Sequence, residues 1–236
     1  QKRKLDFTGQ EVFVGIDVHK KSWKISIHLG DLEHKTFSQD PDPQILSNYL
    51  RRNFPGAKYK SVYESGFCGF WIHEALTKLG IENLVVNASD VPTTDKEKRQ
   101  KRDKRDARKL AKTLRSNQLE GIYVPSRQAQ EVRSLLGTRY RIVKNMTRCK
   151  NQIKSHPNFM GIAIPFKWHG RYWSNKFIEW LSQLEFSTTF GKASLDALIL
   201  ELKALRSILA NLLKTIHELS KSPEFQMPIK LLQSLP

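Results

Sequence analysis

Three strand-like runs crowd into residues 11–38, and the gaps between them leave room only for tight turns. Residues 11–18, Glu-Val-Phe-Val-Gly-Ile-Asp-Val, are rich in β-branched side chains. Residues 22–29, Ser-Trp-Lys-Ile-Ser-Ile-His-Leu, alternate apolar and polar, the period of a half-buried strand. Parallel neighbours need a crossover of about a dozen residues or more, so these two runs form an antiparallel hairpin. Gly30-Asp31 is a turn signal, and residues 32–38 follow as a third strand. Pro43 opens an amphipathic helix through Ile45, Leu46, Tyr49 and Leu50. Residues 59–64 read as a fourth strand ending at Ser65-Gly66. A helix through Phe70, Trp71, Ala75, Leu76 and Leu79 is capped by Gly80, and residues 81–86 are a short apolar strand. A meander followed by alternating helices and strands implies an α/β fold with a mixed sheet.

The charge restricts the partners. Forty Lys and Arg against 23 Asp and Glu leave +17, which attracts polyanions, nucleic acid first. No run of about eighteen apolar residues spans a membrane, and no signal-peptide pattern opens the chain. Two cysteines, Cys68 and Cys149, are too few for a disulfide framework or a four-cysteine zinc site; they read as buried thiols in a reducing, cytoplasmic setting.

Residues 95–115 hold eleven Lys or Arg and four acids, with a helix from about Asp103 through Ala107, Leu110, Ala111 and Leu114. Within the run, Lys98, Arg99, Lys101, Arg102, Lys104, Arg105, Arg108 and Lys109 are the candidate nucleic-acid contacts; the plainer reading is a solvated face. Ser126 caps a long basic helix to about Ser155, with an apolar stripe of Val132, Leu136, Tyr140, Val143, Met146 and Ile153. Residues 157–173 read as irregular; their aromatics Phe159, Phe166, Trp168, Tyr172 and Trp173 suit either base stacking or packing. Leu195, Leu198, Leu202, Leu205, Leu209, Leu212, Ile216 and Leu219 then recur at spacings of three and four, a heptad seam. The basic helix has cations to keep wet, so the seam is expected to pair with a second copy, a homodimer through residues 192–222. Packing inside one chain is the alternative.

Asp17 and Glu64 each end a strand. Asp103 and Asp106, three apart, share one face at a helix start. Carboxylates converging from strand ends, closed by a helix-borne pair, suit hard divalent cations such as Mg²⁺ or Mn²⁺. Two such ions can clamp a phosphodiester. Taken alone, Asp17 also reads as a strand end beside a turn, and Asp103 and Asp106 as favourable charges at a helix start or as i,i+3 and i,i+4 partners of their many cations. His19, two residues after Asp17, is either an aid to that site or a turn histidine.

The motifs Gly15-Ile16-Asp17-Val18-His19-Lys20, Tyr63-Glu64-Ser65-Gly66 and Lys101-Arg102-Asp103-Lys104-Arg105-Asp106-Ala107-Arg108-Lys109-Leu110-Ala111 occur in this order. Together they resemble the DEDD transposases of bacterial insertion sequences, which include bridge-RNA-guided recombinases and relatives of the Piv DNA invertases. The resemblance spans roughly residues 11–155. It implies a RuvC-like (ribonuclease H-like) mixed sheet with flanking helices, followed by a long-helix coiled-coil region. It further implies that Asp17, Glu64, Asp103 and Asp106 are the catalytic tetrad binding Mg²⁺ or Mn²⁺, with DNA and a structured guide RNA as partners in the bacterial cytoplasm, at the nucleoid. The expected layout is a RuvC-like domain over 1–125, a helical region over 126–222, and the start of a further domain over 223–236. Family members carry a serine nucleophile in that further domain; Ser234 precedes it and is not assigned the role.

Two other functions compete. One is a non-catalytic nucleic-acid-binding module that keeps the ribonuclease H-like core. The other is a sugar-kinase or actin-like phosphotransferase, which places a glycine soon after its first Asp; Val18-His19-Lys20 stands there instead.

Overall fold

The computed structural model describes residues 5–92, 103–168, 170 and 173–235, with only the backbone described at residues 103–105. Two compact units divide at Val124 and Pro125.

The first unit is built on five strands: β1 (Glu11–Val18), β2 (Trp23–Leu29), β3 (Leu32–Gln39), β4 (Lys58–Glu64) and β5 (Glu82–Val86), in spatial order β3-β2-β1-β4-β5. The meander β1-β2-β3 is antiparallel, whereas β4 and β5 add parallel to β1. Helix α1 (Pro43–Asn53) makes the crossover from β3 to β4, and α2 (Trp71–Lys78) that from β4 to β5. Asp42 caps α1 by accepting a hydrogen bond from the Gln44 amide at 2.8 Å, and Pro43 sits in the first turn, where its missing N–H costs nothing. Val12, Val14, Ile16, Ile25, Ile27 and Tyr63 share a fully buried core with Leu46, Leu50, Ile72 and Leu76 of these helices.

The opposite face of β1 receives helix α3 (Asp103–Arg115). Ala107, Leu110 and Ala111 are buried there. A Cβ on Gly15 would lie 2.0 Å from the Ala107 carbonyl oxygen and 2.5 Å from the Ala111 amide nitrogen, so α3 can seat only on a strand that lacks a side chain at this point. The sheet, its order and its helices on both faces have the RuvC-like form that the resemblance implies.

The second unit contains α4 (Arg127–Phe159), α5 (Asn175–Ser182), α6 (Thr189–Ser220) and α7 (Pro223–Gln233). The Ser126 hydroxyl accepts from the Ala129 amide at 3.2 Å, the expected cap. The helix runs four residues further than expected and takes in Pro157 in its last turn, although proline gives up its own backbone hydrogen bond there. Helices α4 and α6 run antiparallel. The His156 ring nitrogen Nε2 meets the Gly191 carbonyl at 3.0 Å, and the Cys149 thiol donates to the Leu198 carbonyl at 3.3 Å. At the other end Gln128 donates to Glu224.

This pairing changes the reading of the leucine seam. Leu195, Ile199, Leu202 and Leu205 are buried against Cys149 and Ile153 of α4 and against Phe177, Ile178 and Leu181 of α5. The first half of the seam is therefore covered within the chain. Helix α4 hides a narrow stripe of small and medium side chains while Arg133, Arg141, Lys144 and Arg148 stay exposed, so wet cations and a buried face coexist on one helix. Leu136 and Tyr140, expected in that stripe, are instead 46% and 57% exposed. In the segment expected to be irregular, Phe166–Trp168 forms a short 3₁₀ turn, and Trp168 and Trp173 pack on Phe177. Phe159 and Phe166 face solvent.

Candidate functional site

The pleat of the sheet decides which acids meet. Along β1, Val12, Val14 and Ile16 enter the α1/α2 core, so Phe13, Gly15 and Asp17 face α3. The parallel register pairs Gly15 with Val62 and Ile16 with Tyr63. One step further, Asp17 and Glu64 stand side by side at the carboxyl ends of neighbouring strands. From above, α3 brings Asp106, four residues before the buried Leu110. Asp17, Glu64 and Asp106 line one cleft of about 170 Å³ together with Gly66, Phe67 and Cys68.

Three of the four predicted acids thus share a cleft. Asp103 opens α3 one turn before Asp106, and its side chain lies outside the described residues. Among the described residues, no group of three or more His, Cys, Asp or Glu is spaced to hold a metal ion as it stands. The donor chemistry nevertheless fits a hard divalent cation: carboxylate oxygens supplied from three separate elements around one small cleft. The His19 ring nitrogen Nε2 lies 3.0 Å from Asp17 Oδ2, so this histidine orients the first carboxylate rather than forming only a turn.

Of the predicted cationic contacts, Lys98, Arg99, Lys101 and Arg102 fall outside the described residues, as do the side chains of Lys104 and Arg105. Arg108 Nε donates to Glu33 Oε1 at 2.7 Å and to Thr36 Oγ1 at 3.1 Å. Arg115, at the other end of α3, pairs with Asp31. These two arginines fasten the β2-β3 hairpin to α3. Lys109 is half-buried on the same helix.

Other residues of the cleft escape sequence reasoning. Burial pushes the Cys68 thiol pKa up, so the sulfur stays protonated and is a poor nucleophile. The buried Tyr63 hydroxyl, its pKa also raised by burial, donates to the Gly69 carbonyl at 3.0 Å and pins the loop after β4. Phe67 stands at the apex of that loop, with Lys20 Nζ 5.9 Å from its ring centroid. The one available signal is Gly15, since a glycine inside a strand often marks a close backbone approach.

A family model described as a transposase of the DEDD, IS110 kind matches residues 14–159. The chain is also similar to y4qE of Sinorhizobium fredii (strain NBRC 101917 / NGR234), a protein provisionally named a transposase, at 26% identity over 197 residues, covering 80% of this chain and 49% of the relative. The chain therefore spans about half the length of that relative. The matched segment takes in the whole sheet from the middle of β1, all of α3 and the full length of α4. This chain belongs to the IS110-type DEDD transposase family.

Proposed function

We propose that the chain is the N-terminal part of a DNA transposase and recombinase that binds DNA and a structured guide RNA. In this reading Asp17, Glu64, Asp103 and Asp106 hold Mg²⁺ or Mn²⁺ for strand cleavage and exchange. The observation that carries the reading is the convergence of Asp17, Glu64 and Asp106, from β1, β4 and α3, on one cleft. A bound divalent ion would supply charge neutralisation at the phosphoryl oxygens and orient the attacking and leaving oxygens. The protein's part is positional. The strand register fixes Asp17 beside Glu64, Gly15 sets the height of α3, and the His19 ring holds the Asp17 carboxylate in place. The serine nucleophile implied by the resemblance would come from a further domain, and we assign that role to none of the serines among the described residues.

No helix among the described residues is long and apolar enough to cross a membrane. The basic surface suits work beside DNA in the bacterial cytoplasm. The competing reading, a non-catalytic nucleic-acid-binding module, draws support from the present spacing of the acids. Calorimetric titration with Mn²⁺ separates the two. Wild type should release heat that Asp17→Asn and Glu64→Gln each reduce at least several-fold. Equal heats from all three proteins would overturn the catalytic reading in favour of the module.

A further inference from the structure

We propose that Phe67 is a stacking platform for one unpaired nucleobase beside the carboxylate cleft, and that Lys20 holds the phosphate next to that base; this rests on the reading of the cleft as a phosphodiester site. The ring lines the same cleft as Asp17, Glu64 and Asp106 and is 65% exposed. Its neighbours Cys68 and Phe70 turn inward and pack on the α1/α2 core, whereas Phe67 points to solvent. The loop that carries it is held at three points. The Ser65 amide donates to the Val86 carbonyl at 2.7 Å, the Gly69 amide to the Gly66 carbonyl at 3.0 Å, and the Tyr63 hydroxyl to the Gly69 carbonyl at 3.0 Å. A large aromatic side chain at the tip of a fastened turn contributes nothing to the core. The ordering cost of the backbone that carries it has been met before any ligand arrives.

The chemistry of the partner follows from what surrounds the ring. Lys20 Nζ sits 5.9 Å from the ring centroid, within cation–π range, so a cation and a π face are presented together. A nucleotide offers the complement, a flat base joined to a phosphate. Bases in a duplex keep their faces covered, so the platform suits a base that is unpaired, as at a flap, a nick or a loop. Stacking of this kind tolerates any base, so Phe67 positions the strand without reading its sequence. The reacting phosphodiester would then be held near the acids by a contact that needs no metal.

The test uses the full 236-residue chain with a short single-stranded oligonucleotide carrying one 5-iodouracil, as DNA and as RNA of the same sequence, in chelator. Ultraviolet crosslinking should map to Phe67. Phe67→Leu, which keeps apolar bulk but removes the π face, should weaken binding roughly five-fold or more, while Phe67→Tyr should bind within about two-fold of wild type. Lys20→Gln should lower the slope of log K against log salt by the equivalent of about one phosphate. The tighter of the DNA and RNA arms identifies the source of the base. Crosslinks confined to other residues, or Phe67→Leu binding like wild type, would overturn the proposal. Mn²⁺ calorimetry on the same proteins keeps the two readings apart. Unchanged Mn²⁺ heat in Phe67→Leu, with oligonucleotide binding weakened as expected, supports both. Phe67-dependent binding without any Mn²⁺ heat in wild type supports the platform and removes the phosphodiester reading.

Discussion

Gly15 is the residue on which the cleft depends most directly. Ala107 and Ala111 of α3 occupy the space where a side chain would stand. Gly15→Ala should destabilise the protein by at least about 1–3 kcal/mol in urea unfolding, the range for overpacking a filled site. Gly66→Ala, where nothing lies within 4 Å of the added carbon, should change stability little. A second prediction concerns His28, buried on the α3 side of β2. Its pKa is lowered from 6.5, first by burial and then by Arg115, Arg108 and Lys112, with Glu33 acting in the opposite direction. The folded state thus binds fewer protons than the unfolded chain as pH falls below 6.5. Stability present above that pH is lost as pH drops towards the lowered folded value. His28→Gln should flatten that limb of a stability profile measured between about pH 7.5 and 5. A profile identical to wild type would show that His28 does not set it.

At the scale of elements, the helix pair of the second unit yields two predictions of opposite kind. Leu202 is fully buried in the cluster shared by α4, α5 and α6. Leu202→Ala should cost about 2–5 kcal/mol, read by thermal unfolding. Leu200 and Ile208 lie on α6 as well, yet they are 68% and 45% exposed. The homodimer expected through residues 192–222 therefore has to use this outer face and the half-buried end of the seam, Leu209, Leu212, Ile216 and Leu219. Leu200→Glu with Ile208→Glu should convert a dimer to monomers in sedimentation at micromolar concentration without unfolding it. A monomeric wild type would mean that α4 and α6 complete the seam between themselves. Among the strands, β3 edges the sheet with the charged or polar Glu33, His34 and Lys35, and the β2-β3 register shifts between Ile27 and His28. Both features oppose pairing with a second sheet.

For the whole molecule, what the sequence discloses follows physical range. Strands and helices are legible because alternation and heptad spacing are local, and because Asp42-Pro43, Gly80 and Ser126 are local stop and start signals. Asp17 and Glu64 are legible as strand ends, but their adjacency is a matter of register, which one chain's pattern does not state. The partner of the leucine seam escapes the sequence for the same reason. Which face of α4 turns inward depends on Cys149 and Ile153 finding α6, not on where the arginines are. Residues 127–159 hold eight Lys or Arg and one Glu, so much of the nucleic-acid affinity should rest on this helix. Replacing Arg141, Lys144 and Arg148 with Gln should reduce the salt slope by about 0.7–0.9 for each phosphate that is no longer neutralised. An unchanged slope would place the binding surface elsewhere. The seat of α3 on Gly15 has a consequence for synthesis. Asp17 and Glu64 emerge from the ribosome with the sheet, yet Asp106 joins them only once α3 has been made and has docked across β1. A nascent chain ending at residue 92 can pair its strands and still lack the carboxylates of α3, so the three acids cannot share a cleft before α3 itself has been made.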